Sequence, residues 1–166
     1  MGASPKPKRD CVPPTARPLL AADVDGVAAI ERAAFTDPWP ARAFTELLAQ
    51  PHVRAFAVDQ EDGRLAGYAL ASVAADQGEI LNLAVDPLAR GHGLGRRLLD
   101  ALLEMFRRER VTSVFLEVRQ SNEVAIRLYR RAGFRPQSSR KRYYRNPTEN
   151  ALTMTLSLAP ETAEKG

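Results

Sequence analysis

The chain has a single cysteine, Cys11, and only two histidines, His52 and His92. One thiol excludes an internal disulfide and any cysteine-based metal cluster, and it suits a reducing compartment, so a cytoplasmic location is expected. Neither histidine has a second ligand at helical or hairpin spacing, so no metal is expected. No apolar run approaches the about eighteen residues of a membrane span, which argues against a membrane partner. The basic first ten residues are not followed by an apolar export segment, so export is not signalled. "MGASPK" opens like a myristoylation site but sets Lys6 where serine or threonine is needed. There is no internal repeat.

What is present describes an ordinary folded domain. Hydrophobic residues make up 45% of the 166 and charged residues 27%, the balance of a globular protein with one core. Lys and Arg exceed Asp and Glu by 24 − 20 = 4. The excess lies partly in "PKPKR" and partly in "RRER" and "RKRYYR", clusters that are either solvated faces or attractors of phosphate, RNA or an anionic cofactor. Residues 1–16 form a basic, proline-rich stretch without apolar periodicity and read as a flexible extension, as do residues 160–166 at the other end. The folded domain is expected over residues 17–159.

Within that domain the periodicity alternates. "DVDGVAAIERAAF" spaces Val24, Val27, Ile30 and Ala34 as a helix, and "ARAFTELLAQ" forms a second one with Pro40 in its first turn. "VRAFAV", "LAGYALASV" and "EILNLAV" are strand-like, the first two joined by "DQEDGR". Leu94, Leu98, Leu102 and Phe106 make one stripe of an amphipathic helix. "SVFLEV" is a strand, "SNEVAIRLYRRAGF" a short helix capped by Ser121 and stopped by Gly133, and "ALTMTLSL" a closing strand. Strand, two helices, three strands, helix, strand, helix and one or two strands make an α/β or α+β sandwich.

Two features carry chemistry. In "RGHGLGRR", Arg90 to Arg97, Gly91, Gly93 and Gly95 crowd the turn between a strand and a helix. The dinucleotide fingerprint would need glycine in place of Arg96, and the P-loop signature G-K-[ST] is absent. Two readings remain: a tight corner, or amides at a helix start that hold a pyrophosphate among Arg90, Arg96 and Arg97. The second feature is Glu117, a carboxylate in a strand that reads as buried on both faces. An unpaired charge there would be costly, and such burial raises a carboxyl toward the range of a general base; a solvent-facing edge strand is the alternative. Tyr129 lies on the apolar face of the next helix, either as core or as a phenol acid.

"NLAVDPLARGHGLGRRLLDALLEMF" followed by "VFLEVRQSNEVAIRLYRRAGF" resembles the GNAT family of N-acetyltransferases, most of all its RimI branch, which acetylates the N-terminal alanine of a small-subunit ribosomal protein. The resemblance covers about Arg17 to Leu158 and is strongest from Asn82 to Phe134. It implies a mixed, mainly antiparallel sheet with helices on both faces, acetyl-CoA as co-substrate, and a protein N-terminus as acceptor, with no need of nucleic acid. The family's pattern [RQ]-x-x-G-x-[GA] is met by Arg90, Gly93 and Gly95, in a loop whose Gly91, His92, Leu94 and Arg96 also adjoin the pyrophosphate. The backbone of Leu83, Ala84 and Val85 would pair with the pantetheine arm, and Asn122 would hydrogen-bond it. Glu117 matches the family's base and Tyr129 the acid that protonates the departing thiolate. An α-amine with a pKa near about 7.7–8.0 needs less of a base than lysine near about 10.4.

On the acceptor side, "FTDPWPARAF" resembles a segment that brings Trp39 to the peptide groove, with Pro40 replacing a capping serine. "RKRYYR" resembles a stretch whose Tyr143 and Tyr144 line the same groove; an exposed strand edge is the plainer reading of that pair. The loop before the last strand is shorter than the family's by about two residues. Two rival functions follow from the same residues: acetylation of lysine or a small amine, and a non-catalytic basic module that binds ribosome or RNA.

Overall fold

A computed structural model describes residues 15–158. Most of the expected extension over residues 1–16, Cys11 included, and the tail 160–166 lie outside the described residues. The chain runs β1 (Arg17–Pro18), α1 (Val24–Ala34), α2 (Ala41–Leu48), β2 (Val53–Asp59), β3 (Leu65–Ala74), β4 (Gln77–Val85), α3 (Leu94–Arg108), β5 (Ser113–Arg119), α4 (Glu123–Arg131), β6 (Arg135–Tyr144) and β7 (Glu149–Ser157). The strands form one sheet in the order β1-β2-β3-β4-β5-β7-β6. All neighbours are antiparallel except β4 and β5, which run parallel because α3 crosses between them.

Each face of the sheet carries its own core. Val27, Ile30 and Phe44 of α1 and α2 pack on Tyr68, Leu70 and Ala84. On the other face Leu98, Leu99, Leu102 and Phe106 of α3, with Tyr129 of α4, cover Ala69, Ile80, Val114, Leu116 and Val118. Helix and sheet approach closely at Gly78, where an added Cβ would lie 2.4 Å from the Phe106 ring.

Two local expectations shift by one residue. The cap of α4 is Asn122, not Ser121: the Asn122 side-chain oxygen accepts from the Ala125 amide at 3.2 Å. The Ser121 amide is taken up instead by Glu149 at 2.5 Å. Pro40 is the cap position of α2 rather than its first turn, and it offers no side-chain acceptor there. Gly133 has φ +103°, the conformation expected of a helix stop.

Candidate active site

The site begins where β4 leaves β5. Their pairing runs from Gln77 and Ser113 to Ile80 and Leu116, yet β4 continues to Val85 and β5 to Arg119. The cause lies on the other side of β4: Leu70 pairs with Asn82 and Ala71 with Ile80, so Leu81 is an extra residue opposite β3. Such a bulge bends and twists its strand, and β4 turns away at that point. The backbone of Leu83, Ala84 and Val85 thus flanks a gap in the sheet, where an extended polar chain can lie alongside β4 as an added strand.

The glycine turn closes one end of the gap. Gly91 (φ +85°) and Gly93 (φ +74°) are glycines by conformation, and a Cβ at either would meet nothing within 4 Å. Gly95 is different. It lies in the first turn of α3 with no positive φ, and its Cβ position faces Leu128 at 3.5 Å and Val85 at 3.8 Å. A corner explains Gly91 and Gly93 but not Gly95, whose missing side chain keeps space open between β4 and α4. Gly93 gives α3 no side-chain cap, so the amides of Leu94, Gly95 and Arg96 point toward the turn, as an anion site requires. Arg90 and His92 are exposed, with the His92 ring at 3.1 Å from the Arg90 carbonyl; Arg96 pairs with Asp100 at 2.9 Å. These residues suit a pyrophosphate on a long arm.

Glu117 and Tyr129 lie on opposite faces of the sheet. Strand β5 alternates strictly, with Val114, Leu116 and Val118 buried on the α3–α4 side, so Glu117 projects to the α1–α2 side. The strand is therefore neither buried on both faces nor an edge. Glu117 is 13% exposed and is not the unpaired carboxylate expected: Arg140 of β6 bonds it at 3.1 Å, and Tyr143 donates to it. Tyr129 is 6% exposed, its ring edge-on to Phe134 at 5.7 Å. Burial pushes its phenol well above the ordinary range, so it keeps its proton. Tyr144 is within electrostatic reach of both, and burial, with Tyr143 and Glu117 beside it, pushes it up to about 12.

The tyrosine pair is 5.0 Å apart and edge-on. Arg119 covers Tyr144 at 4.6 Å and donates to the Arg145 and Pro147 carbonyls at 2.5 and 3.0 Å, which ties the short loop after Tyr144 to β5. Trp39 belongs to the α1–α2 layer, its ring 5.6 Å from Phe44. Its amide donates at 3.1 Å to Glu31, a buried carboxylate that also accepts from Asn82 at 3.0 Å and from the Tyr68 hydroxyl.

Glu31, Glu79 and Arg140 escape sequence reasoning. Glu31 sits in an apolar helix face, which is a signal, but its three donors come from distant segments. Glu79 and Arg140 look like ordinary exposed strand residues. Among the described residues no group of three or more His, Cys, Asp or Glu converges on a metal position, and no helix is long and apolar enough to cross a membrane.

The sequence model of the acetyltransferase (GNAT) family matches residues 24–134. The N-alpha-acetyltransferase RimI of Mycobacterium tuberculosis is 40% identical over 151 residues, covering 87% of this chain and 93% of that protein. The ribosomal protein bS18-alanine N-acetyltransferase of Escherichia coli K12 is 34% identical over 145 residues, 85% of this chain and 95% of that one. The crystal structure of the Escherichia coli enzyme superposes with a TM-score of 0.81 at 33% identity, covering 90% of this chain and 97% of the other. The bulged β4 parting from β5, the glycine turn between them and these matches along the chain's length have one explanation: the protein belongs to the GNAT family of acetyltransferases.

Proposed function

We propose that the protein transfers the acetyl group of acetyl-CoA to the α-amine of a protein N-terminus, as a RimI-type enzyme acting in the cytoplasm on the N-terminal alanine of a ribosomal protein. The observation that carries this reading is the parting of β4 from β5 beyond Ile80 and Leu116, with Glu117 on one face of the sheet and Tyr129 on the other. The name of the Escherichia coli relative, ribosomal protein bS18-alanine N-acetyltransferase, supports the acceptor. Leu83, Ala84, Val85 and Asn122 hold the pantetheine arm, and the loop with Arg90, Gly91, His92, Gly93, Leu94, Gly95 and Arg96 holds the pyrophosphate. Trp39, Tyr143 and Tyr144 wall the acceptor slot.

The chemistry is a direct transfer. An α-ammonium gives one proton to Glu117 through water, and the freed nitrogen attacks the thioester carbonyl. The C–N bond forms and the C–S bond breaks; the thiolate takes the phenolic proton of Tyr129, the second proton shed by the nitrogen passes through water to restore that phenol, and Glu117 releases its proton to solvent. A phenol held above its ordinary pKa is protonated when needed but is a reluctant acid, so the base dominates the rate.

Glu117→Gln is expected to lower turnover by about two to four orders of magnitude while acetyl-CoA still binds. Thiol release is measured with an alanine-starting peptide and with an N-blocked peptide carrying a free lysine, and the modified atom is located by mass spectrometry. Acetyl groups on lysine with the α-amine untouched would refute the acceptor assignment; release of no thiol with any peptide would refute catalysis.

A further inference from the structure

The sheet face that carries Glu117 carries a second carboxylate. Parallel pairing places Glu79 of β4 opposite Phe115 of β5, and partners in a ladder project to the same face, so Glu79 and Glu117 stand one pleat apart. Glu79 lies two residues before the bulge at Leu81, at the point where the strands begin to part. It is half-buried, and among the described residues no hydrogen bond or ion pair takes up its carboxylate. The charged groups facing it are Glu117 from β5 and Arg140 from β6, with the Tyr143 phenol beside them. Burial and the repulsion of Glu117 hold its carboxyl above the ordinary range, while Arg140 works the other way.

A carboxylate withdrawn from water next to another carboxylate costs free energy, and the fold gains nothing visible in return. What now neutralises the pair is a cation that can leave. Arg140 sits on the outermost strand with its side chain 61% exposed, and it forms an ion pair with Glu117 at 3.1 Å. The position therefore accepts an N–H-bearing cation and holds it by a side chain able to swing into water.

We propose that Glu79 is an acceptor-binding residue, which with Glu117 receives the α-ammonium group of the incoming N-terminus as Arg140 gives way. This rests on the α-amine acceptor proposed above. Glu79 keeps its charge throughout and takes no proton; it holds the ammonium within reach of Glu117, which does.

The test is calorimetry on the enzyme loaded with CoA, which lacks the acetyl group and permits no turnover. An alanine-starting peptide is compared with the same peptide whose first residue is replaced by a propionyl group, which lacks the amine and is otherwise the same. Wild type is expected to favour the amine-bearing peptide by about tenfold or more. Glu79→Gln and the smaller Glu79→Ser are expected to bring the ratio close to one, and Glu79→Asp to restore most of it. If both neutral variants weaken the two peptides alike, or keep the wild-type ratio, the assignment of Glu79 is wrong. If wild type itself does not distinguish the peptides, the α-amine reading of the site falls and takes this proposal with it.

Discussion

Replacing Glu31 tests whether a buried carboxylate organises the acceptor side. Glu31 is 2% exposed and accepts from the Trp39 amide at 3.1 Å, the Asn82 side-chain amide at 3.0 Å and the Tyr68 hydroxyl. Burial and the neighbouring carboxylate push the Tyr68 phenol far above its ordinary range, so it is a donor. Glu31→Ala strands three donors, one buried and two part-buried. Each costs about 1–3 kcal/mol when left without a partner, and because part of the site can relax, about 4 kcal/mol in all is expected. Glu31→Gln keeps the shape but turns a donor toward the Trp39 amide while its oxygen still accepts from Tyr68 and Asn82, for a loss of about 2 kcal/mol. At about 2–4 °C per kcal/mol for a chain of this size, Glu31→Ala should melt about 8–16 °C below wild type. Urea unfolding followed by circular dichroism gives the free energies directly. Tyr68→Phe in the Glu31→Ala background should cost less than in wild type, because the hydroxyl has already lost its acceptor. The KM for peptide should rise in Glu31→Gln while acetyl-CoA affinity holds, since Trp39 is the group set free. A Glu31→Ala protein within about 1 kcal/mol of wild type would refute the network's importance.

Gly95→Glu fills the space facing Val85 and Leu128 and adds a negative charge, so calorimetry should show acetyl-CoA affinity lowered by about a hundredfold or more in a folded protein; unchanged affinity would leave Gly95 without a role at the gap. Gly78→Ala drives a methyl group into the Phe106 ring, 2.4 Å away, and should destabilise by about 1–3 kcal/mol in chemical unfolding, with Phe106→Leu in the same chain recovering part of the loss. Arg17 joins β1 to the rest through Asp23 at 2.8 Å and Asp59 at 2.7 Å. The Arg17 guanidinium holds the Asp23 carboxyl below its ordinary 3.8, so this contribution is complete above that pH and disappears as the pH falls through the lowered value. Asp23→Asn should remove about 1 kcal/mol at neutral pH and nothing at the acid end of a melting series.

Much of the architecture is local and therefore readable. The stripe from Leu94 to Phe106, the alternation in β5 and the glycine that stops α4 are each set by a few neighbouring residues obeying a fixed period. β6 was harder, because it is exposed along most of its length and has no apolar alternation to betray it. The cap of α4 moved from Ser121 to Asn122 for a tertiary reason: Glu149, from the far side of β7, claims the Ser121 amide.

The site divides along the same line. Residue types and spacing alone determined the glycine turn ahead of a helix, the strand carboxylate at Glu117 and the phenol at Tyr129, since each follows from its own segment. Only the tertiary structure decided what these groups meet. It set a bulge at Leu81 against β3 to open the sheet, placed Glu117 and Tyr129 on opposite faces of that sheet, and laid Arg140 on the carboxylate across two intervening strand pairings. Those contacts join residues far apart in the chain, where the energy of one segment depends on a neighbour that its own sequence does not specify.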